Sequence, residues 1–358
     1  LEKIRLRVTG EESIFNAMKT VTLKQIAAKL GISVTTVSRA LKDYPDINAK
    51  TKQMVKDMAT SMKYVPNASA VNLRTQESKT IGVVIPAMVH DFFSNVIDGI
   101  LQEAEEHGYL VILMQSNENF ELEKKQIDLL LNKGVDGILI SLSNHTNNFD
   151  HLKRVQAYDI PLILFDKIAK TVACSKVVID DRKAAYDAVT HLINKGYKRI
   201  AHFRGDLNPQ NSIDRFLGYK KALEDHGIAY DPSLVYICNN NSDFTDGYQT
   251  AAKLIEDHQL TVDAVFTITD SIAIGAMKYF SENDIAIPKD IAVFGFSNWF
   301  MSSVTNPPLS TVKQPGYEMG KKATALLLDE IEDKKKGIVS TPQKITLPTE
   351  LIIRSSCS

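Results

Sequence analysis

Eight short apolar runs, IGVVIP, YLVILMQ, GILIS, LILFD, KVVID, RIAHF, AVFTI and IAVFGF, follow one another from Ile81 to Phe296, separated by stretches of helical periodicity such as 96–107 and 184–195. Few folds accommodate this alternation. A strand, a helix and another strand in sequence give a parallel sheet, because parallel neighbours need a crossover and the crossover helices cover both faces. Eight such strands are too many for one small sheet, and 358 residues with 44% hydrophobic content suffice for two or three packed domains. The expected class is α/β.

The stretch before these strands follows a different pattern. Between Met18 and Thr80, 11 Lys or Arg stand against 4 Asp or Glu, a balance of +7, although the whole chain carries only −1. A basic segment on an acidic body is the charge footprint of phosphate binding. Thr22 and Gln25 have capping-box spacing, and Leu23, Ile26, Ala27 and Leu30 fall on one helical face that Gly31 ends. Ser33 starts a second helix in which Val34, Val37, Ala40 and Leu41 recur, so residues 21–66 read as a helix-turn-helix head. A third helix runs from Asn48 through Val55 and Met58 to Met62, before the breaker Tyr64-Val65-Pro66.

On the second helix, Val34, Thr35, Thr36, Ser38 and Arg39 lie early or away from the core-facing positions. In a helix-turn-helix those positions meet the major groove, where an arginine fork pairs with guanine and Val or Thr methyls touch thymine. For Arg39, base readout and phosphate contact both stay open. Residues 67–78 read either as a linker or as a hinge: Asn67 caps a helix over Ala68 to Leu73 too short to stand alone, which a symmetry mate in the minor groove would stabilise, with Leu73 as a wedge beside Arg74. Residues 1–20 read as a disordered or upstream extension, with an N-terminal arm as the alternative.

TLKQIAAKLGISVTTVSRAL, YVPNASAVNLRT and KTIGVVIP, in this order and spacing, resemble the lactose-repressor and galactose-repressor family of bacterial transcription regulators. The resemblance continues through GVDGILIS, VVIDDRKAAYDAVTHLINKGYKRIAHFRG, DSIAIGAM, IPKDIAVFGFSN and LSTVKQPGYEMG, and covers residues 21–354. It implies that residues 79–358 form a body like the periplasmic sugar-binding proteins, with two doubly wound parallel-sheet subdomains. The chain would cross between them three times, placing 79–178 and 314–336 in one and 179–313 and 337–358 in the other. The resemblance also implies a homodimer on a pseudo-palindromic DNA operator, and adds Thr22, Ser33, Asn48, Tyr64, Asn67, Ala70, Leu73 and Arg74 to the DNA-facing set.

In such a body a small-molecule effector lies at the C-terminal ends of the strands. After IGVVIP, Phe92, Phe93 and Ser94 match the family's cleft segment, one ring being expected to face ligand and the other the core. Asp166 and Lys167 follow LILFD at cleft positions, and Arg215 matches the family's ligand-binding arginine, a donor fork suited to vicinal hydroxyls or a carboxylate; a salt bridge to a helix acid is its alternative. Thr269 and Asp270 also match cleft positions, though Asp270 reads equally as a helix cap. Ser297 stands where many members have an Asp, with Asn298 as its expected compensation, and Trp299 reads as a cleft-wall platform or as loop packing. Asp166 and Asp270 favour a sugar or sugar-like effector over a nucleobase.

Other classes lose ground. No GxSxG, P-loop, HExxH or GxGxxG occurs, so no enzyme is expected, and Asp180-Asp181 read as helix capping. The eight histidines show no metal-ligand spacing, and Cys174, Cys238 and Cys357 form neither a disulfide framework nor a zinc pattern, so no metal or cofactor is expected. Without a run of about 18 apolar residues or a secretory apolar core in LEKIRLRVTG, the expected location is cytoplasmic, with no membrane partner. The expected function is a DNA-binding transcription regulator, read as a repressor, under small-molecule control; a solute-binding protein without DNA activity is the alternative.

Overall fold

The computed structural model describes residues 21–65, 77–88, 91–238 and 243–358. The extension 1–20 and the expected hinge residues Asn67, Ala70, Leu73 and Arg74 lie outside the described residues. The chain divides into two compact units, one ending at Glu77 and one running from Ser78 to Ser358.

The first unit contains α1 (Leu23–Leu30), α2 (Val34–Leu41) and α3 (Ala49–Ser61). Each start is fixed locally. Gln25 N donates to Thr22 Oγ1 at 3.4 Å while Gln25 Oε1 accepts from Thr22 N at 2.8 Å; Thr36 N donates to Ser33 Oγ at 3.0 Å and Thr51 N to Asn48 Oδ1 at 2.8 Å. Gly31 ends α1 in the left-handed region at φ 66°, where a side chain would be strained. Ile26, Ala27, Val37, Ala40, Val55 and Ala59 form the core. Val34, in step with the apolar positions but also placed among the DNA-facing residues, is 39% exposed.

The second unit begins with β1 (Thr80–Ile85), α4 (Asp91–Glu106), β2 (Leu110–Gln115), α5 (Phe120–Lys133), β3 (Gly137–Ile140), α6 (Asp150–Ala157), β4 (Leu162–Phe165) and β5 (Ser175–Ile179). It continues with α7 (Asp181–Asn194), β6 (Ile200–Arg204), α8 (Gln210–Asp225), β7 (Val235–Ile237), α9 (Asp243–His258), β8 (Ala264–Thr267), α10 (Asp270–Glu282), β9 (Ala292–Phe294) and β10 (Thr311–Lys313). Then come α11 (Gly316–Lys335), β11 (Lys344–Leu347) and β12 (Glu350–Ile352). One parallel sheet has the order β11-β5-β4-β3-β1-β2, and a second the order β7-β6-β8-β9, with β10 and β12 paired antiparallel beside β9. The chain passes between the two halves after Ile179, after Lys313 and after Leu347.

One boundary differs from expectation. Residues 337–358 were assigned to the second subdomain, but Lys344–Leu347 pairs in parallel with β5 as the edge of the first sheet, and only the chain from Glu350 onward joins β10. Ile345 and Leu347 are the half-buried members of an alternating strand, and they pack against the apolar core of that sheet.

Helices α4 and α11 lie together on the first sheet, and their backbones meet at two glycines. A methyl group on Gly99 would lie 2.1 Å from the Tyr317 carbonyl oxygen, and one on Gly320 would lie 2.0 Å from that of Val96. Gly320→Ala is therefore expected to force the helices apart and destabilise the body by about 1–3 kcal/mol, seen as a lower denaturant midpoint; an unchanged midpoint would mean that the helix pair yields freely.

Candidate functional site

Two surfaces carry the residues selected from the sequence. On the head, Ser33, Val34, Thr35 and Arg39 are exposed and Thr36 and Ser38 half-buried along α2. Thr22, Ser33 and Asn48 spend their side-chain oxygens as helix caps. Tyr64 packs against the head core. Arg39 Nη2 lies 2.7 Å from Asp46 Oδ2, and its guanidinium sits 5.2 Å from the centre of the Tyr44 ring.

In the body a cavity of about 370 Å³ opens between the C-terminal ends of the two sheets, within the roughly 300–1,000 Å³ of small-molecule sites. Phe92, Phe93, Asp166, Lys167, Arg215, Thr269, Asp270, Ser297 and Trp299 all border it. Phe93 is buried in the core and Phe92 half-buried beside it, edge-on at 5.3 Å, and both border the cavity. Ser94 points elsewhere: it is exposed, and its hydroxyl donates to the Met88 carbonyl at 3.4 Å. Asn298 does not take the place of the absent Asp, because its Oδ1 accepts from Arg354 Nη2 at 2.8 Å and it does not border the cavity.

Arg215 makes the salt bridge offered as its alternative and also borders the cavity. Its Nε donates to Asp181 Oδ1 at 2.8 Å and its Nη1 to the Ile268 carbonyl at 2.8 Å, while the Phe296 ring centre lies 3.6 Å from the guanidinium carbon. Its Nη2 has no partner among the described residues. Asp180 is the cap, accepting from Lys183 N at 3.0 Å, whereas Asp181, read from the sequence as a second capping acid, is the buried partner of Arg215. Burial pushes the Asp181 carboxyl up to about 6; Arg215 opposes this and Asp166 adds to it. Asp270 is likewise structural. Thr269 caps α10, and Asp270 accepts from Thr311 Oγ1 at 2.5 Å, Ser302 Oγ at 2.7 Å and Trp299 N at 2.7 Å. Its carboxyl is raised by burial, with these hydrogen bonds opposing.

Several wall residues were missed. Glu118, Asn144, Asp206, Ser212 and Gln314 border the cavity, and Lys167 Nζ bridges Glu118 Oε1 at 2.6 Å and Asn144 Oδ1 at 2.5 Å. Asp166 and Asp206 are buried carboxylates, and that burial raises both. Gln314 Oε1 accepts from Ser297 Oγ at 3.0 Å, which leaves the buried Gln314 Nε2 and the buried Ser212 Oγ without a partner among the described residues. The rule that ligand residues follow strand ends would have found most of them: Glu118 follows β2, Asn144 follows β3, Asp206 follows β6 and Gln314 follows β10.

A carboxyl raised from 3.8 to about 6 costs stability as pH climbs through that window, because only the unfolded chain ionises freely. Arg215→Met removes the charge that holds Asp181 down, so the loss extends to higher pH. The variant is expected to lie nearest the wild type at pH 5, its deficit growing towards about 3–5 kcal/mol at pH 8. Denaturant midpoints at both pH values measure this, and an equal deficit would show that Asp181 is not the partner that matters.

Known proteins share these features in the same order. A family model described as bacterial regulatory proteins of the lacI family matches residues 22–67, and one described as periplasmic binding proteins and sugar binding domain of the LacI family matches 78–354. The HTH-type transcriptional repressor CytR of Escherichia coli (strain K12) is 34% identical over 335 residues, covering 94% of this chain and 96% of CytR. The solved complex of the transcriptional regulator CelR with cellobiose superposes with a TM-score of 0.71 at 25% identity, covering 94% of this chain and 99% of that one. The lac repressor dimer bound to operator and an anti-inducer shares the fold, with a TM-score of 0.82 at 24% identity over 95% of this chain and 99% of its own. No helix among the described residues is long and apolar enough to cross a membrane. With a reading helix in one unit and a ligand-sized cleft in the other, the chain belongs to the LacI family, as a DNA-binding transcription regulator under effector control and not an enzyme.

Proposed function

We propose that this protein is a homodimeric, cytoplasmic repressor that reads one operator half-site per head and binds a neutral sugar or polyol in the cleft between its two sheets. The observation that carries the effector class is the unmatched polar wall. Gln314 Nε2 and Ser212 Oγ are buried without partners among the described residues, and Arg215 Nη2 points from the same wall. Such atoms cost free energy unless a ligand satisfies them. On the same lining, Asp166 receives only long side-chain hydrogen bonds among the described residues, 3.4 Å from Ser141 and 3.5 Å from Asn211, and Asp206 is a further buried acceptor. Unmet donors, acceptors and the rings of Phe92 and Trp299 on one cavity lining suit a ring that carries several hydroxyls. The cellobiose seen in the CelR complex is a ligand of that kind. A homodimer agrees with the fold shared with the lac repressor dimer.

Thermal unfolding of the full chain against neutral sugars, cellobiose first, tests the effector class. A true effector at 100 times its dissociation constant adds about 2.7 kcal/mol to stability, and Gln314→Leu should weaken it at least tenfold while leaving DNA binding intact. Equal stabilisation of wild type and variant would remove Gln314 from the ligand wall. For the head, Arg39→Ala is expected to lower affinity for selected DNA by about 1–3 kcal/mol relative to random DNA, read by competition binding. If the wild type enriches no sequence from a random library, the repressor reading fails.

A further inference from the structure

The segment after the reading helix, Asp43 to Ile47, carries an acid and an aromatic ring that both touch Arg39. We propose that Asp46 and Tyr44 are specificity-determining positioning residues, which hold the Arg39 guanidinium in the orientation that reads a guanine; this rests on Arg39 being a base reader.

Three observations carry it. Asp46 Oδ2 forms an ion pair with Nη2 at 2.7 Å, while Nε and Nη1 have no partner among the described residues, so most of the donor fork stays available. The Tyr44 ring lies 5.2 Å from the guanidinium, restraining it from a second direction. The segment is itself anchored: Lys56 Nζ sits 2.8 Å from both oxygens of Asp43, Lys52 Nζ donates to the Asp43 carbonyl at 3.1 Å, and Tyr44 N donates to the carbonyl of Arg39 at 3.1 Å. Arg39 and Asp46 are 45% and 46% exposed, so the pair adds little to the stability of the free head. Its consequence lies elsewhere. An arginine is among the costliest side chains to immobilise, and a guanidinium already fixed on two sides loses less freedom when it meets a base. Asp46 also sets a negative charge among basic residues, which opposes attachment to phosphates of any sequence. Both effects raise the ratio of specific to non-specific binding.

The opposite signs define the test. The full chain and its variants Asp46→Asn, Asp46→Ala, Tyr44→Ala and Arg39→Ala are each used to select binding sites from random duplex DNA. Their affinities for the wild-type consensus and for a scrambled duplex are then compared. Each Asp46 variant is expected to lose guanine preference by about tenfold at a single position in each half-site, the position that Arg39→Ala also relaxes, while binding the scrambled duplex more tightly than wild type. Tyr44→Ala should relax the same position to a smaller extent. Near-wild-type helix content and melting of Asp46→Asn separate this from unfolding. If Asp46→Asn strengthens binding to both duplexes equally and leaves the selected sequence unchanged, Asp46 only screens charge and the proposal is overturned. A loss of preference spread across the half-site would overturn it too, as a structural effect. If Arg39→Ala itself leaves the selected sequence unchanged, the underlying reading of Arg39 fails instead.

Discussion

The body is organised around a buried guanidinium. Arg215, on α8, reaches Asp181 at the start of α7, the Ile268 carbonyl beyond β8 and the Phe296 ring beyond β9, and so ties together four segments of the second sheet. Asp181 lies two residues after Ile179, where the chain first leaves the first sheet, so the ion pair fixes that crossing as well as the cavity wall. Removing both charges from water is expensive, and the backbone carbonyl and the ring recover part of that cost only in this one arrangement. The remaining donor, Nη2, has no partner among the described residues and Arg215 borders the cavity, which makes one side chain both a fastener of the crossing and a candidate ligand contact.

The segment that leads to the second crossing is held by the same kind of device with the sign reversed. Asp270 gathers donors from Trp299, Ser302 and Thr311, fixing the loop between β9 and β10. That loop holds Ser297 at φ 129° and Asn298 at φ 56°, conformations that are costly for residues with side chains and persist where the surroundings enforce them. Arg354 helps to enforce them by donating to Asn298 and to the Leu309 carbonyl. The outcome is that Ser297 faces Gln314 across the cavity wall and orients its amide. Where family members commonly present a carboxylate, this chain presents a serine and an amide, a wall with less charge and one more donor.

The contrast between what the sequence made legible and what it hid follows from range. Strands buried on both faces stood out as apolar runs, and the caps at Thr22 and Ser33 could be placed because their partners lie three residues away. The strands β7, β10, β11 and β12 were not visible: three or four residues long and partly exposed, they form because a neighbouring strand offers its edge. The cleft was legible where the family resemblance marked a residue, but not in how those residues are used. Lys167 with Glu118, 49 positions apart, and Arg215 with Asp181, 34 apart, are pairings that only the folded sheets bring within 3 Å. Asp270 and Asn298 were chosen as acids and amides at cleft positions, and nothing local showed that loop backbone and Arg354 had already taken their oxygens.

The same distinction separates the two functional surfaces. The head is a small helical unit whose reading face follows from local periodicity, so Arg39 could be singled out from a stretch of about 20 residues. Its companions Asp46 and Tyr44 fall within seven residues of it and yet did not stand out, since an acid beside a phosphate-binding helix has no role until its geometry is seen. The cleft demands the reverse. Its acceptors Asp166 and Asp206 and its donor Gln314 follow three separate strands, its donors Ser212 and Arg215 sit on α8, and burial makes each costly alone. Because these unmet groups come from elements of both halves, a ligand of the proposed class that met them would couple its binding to the distance between the two sheets.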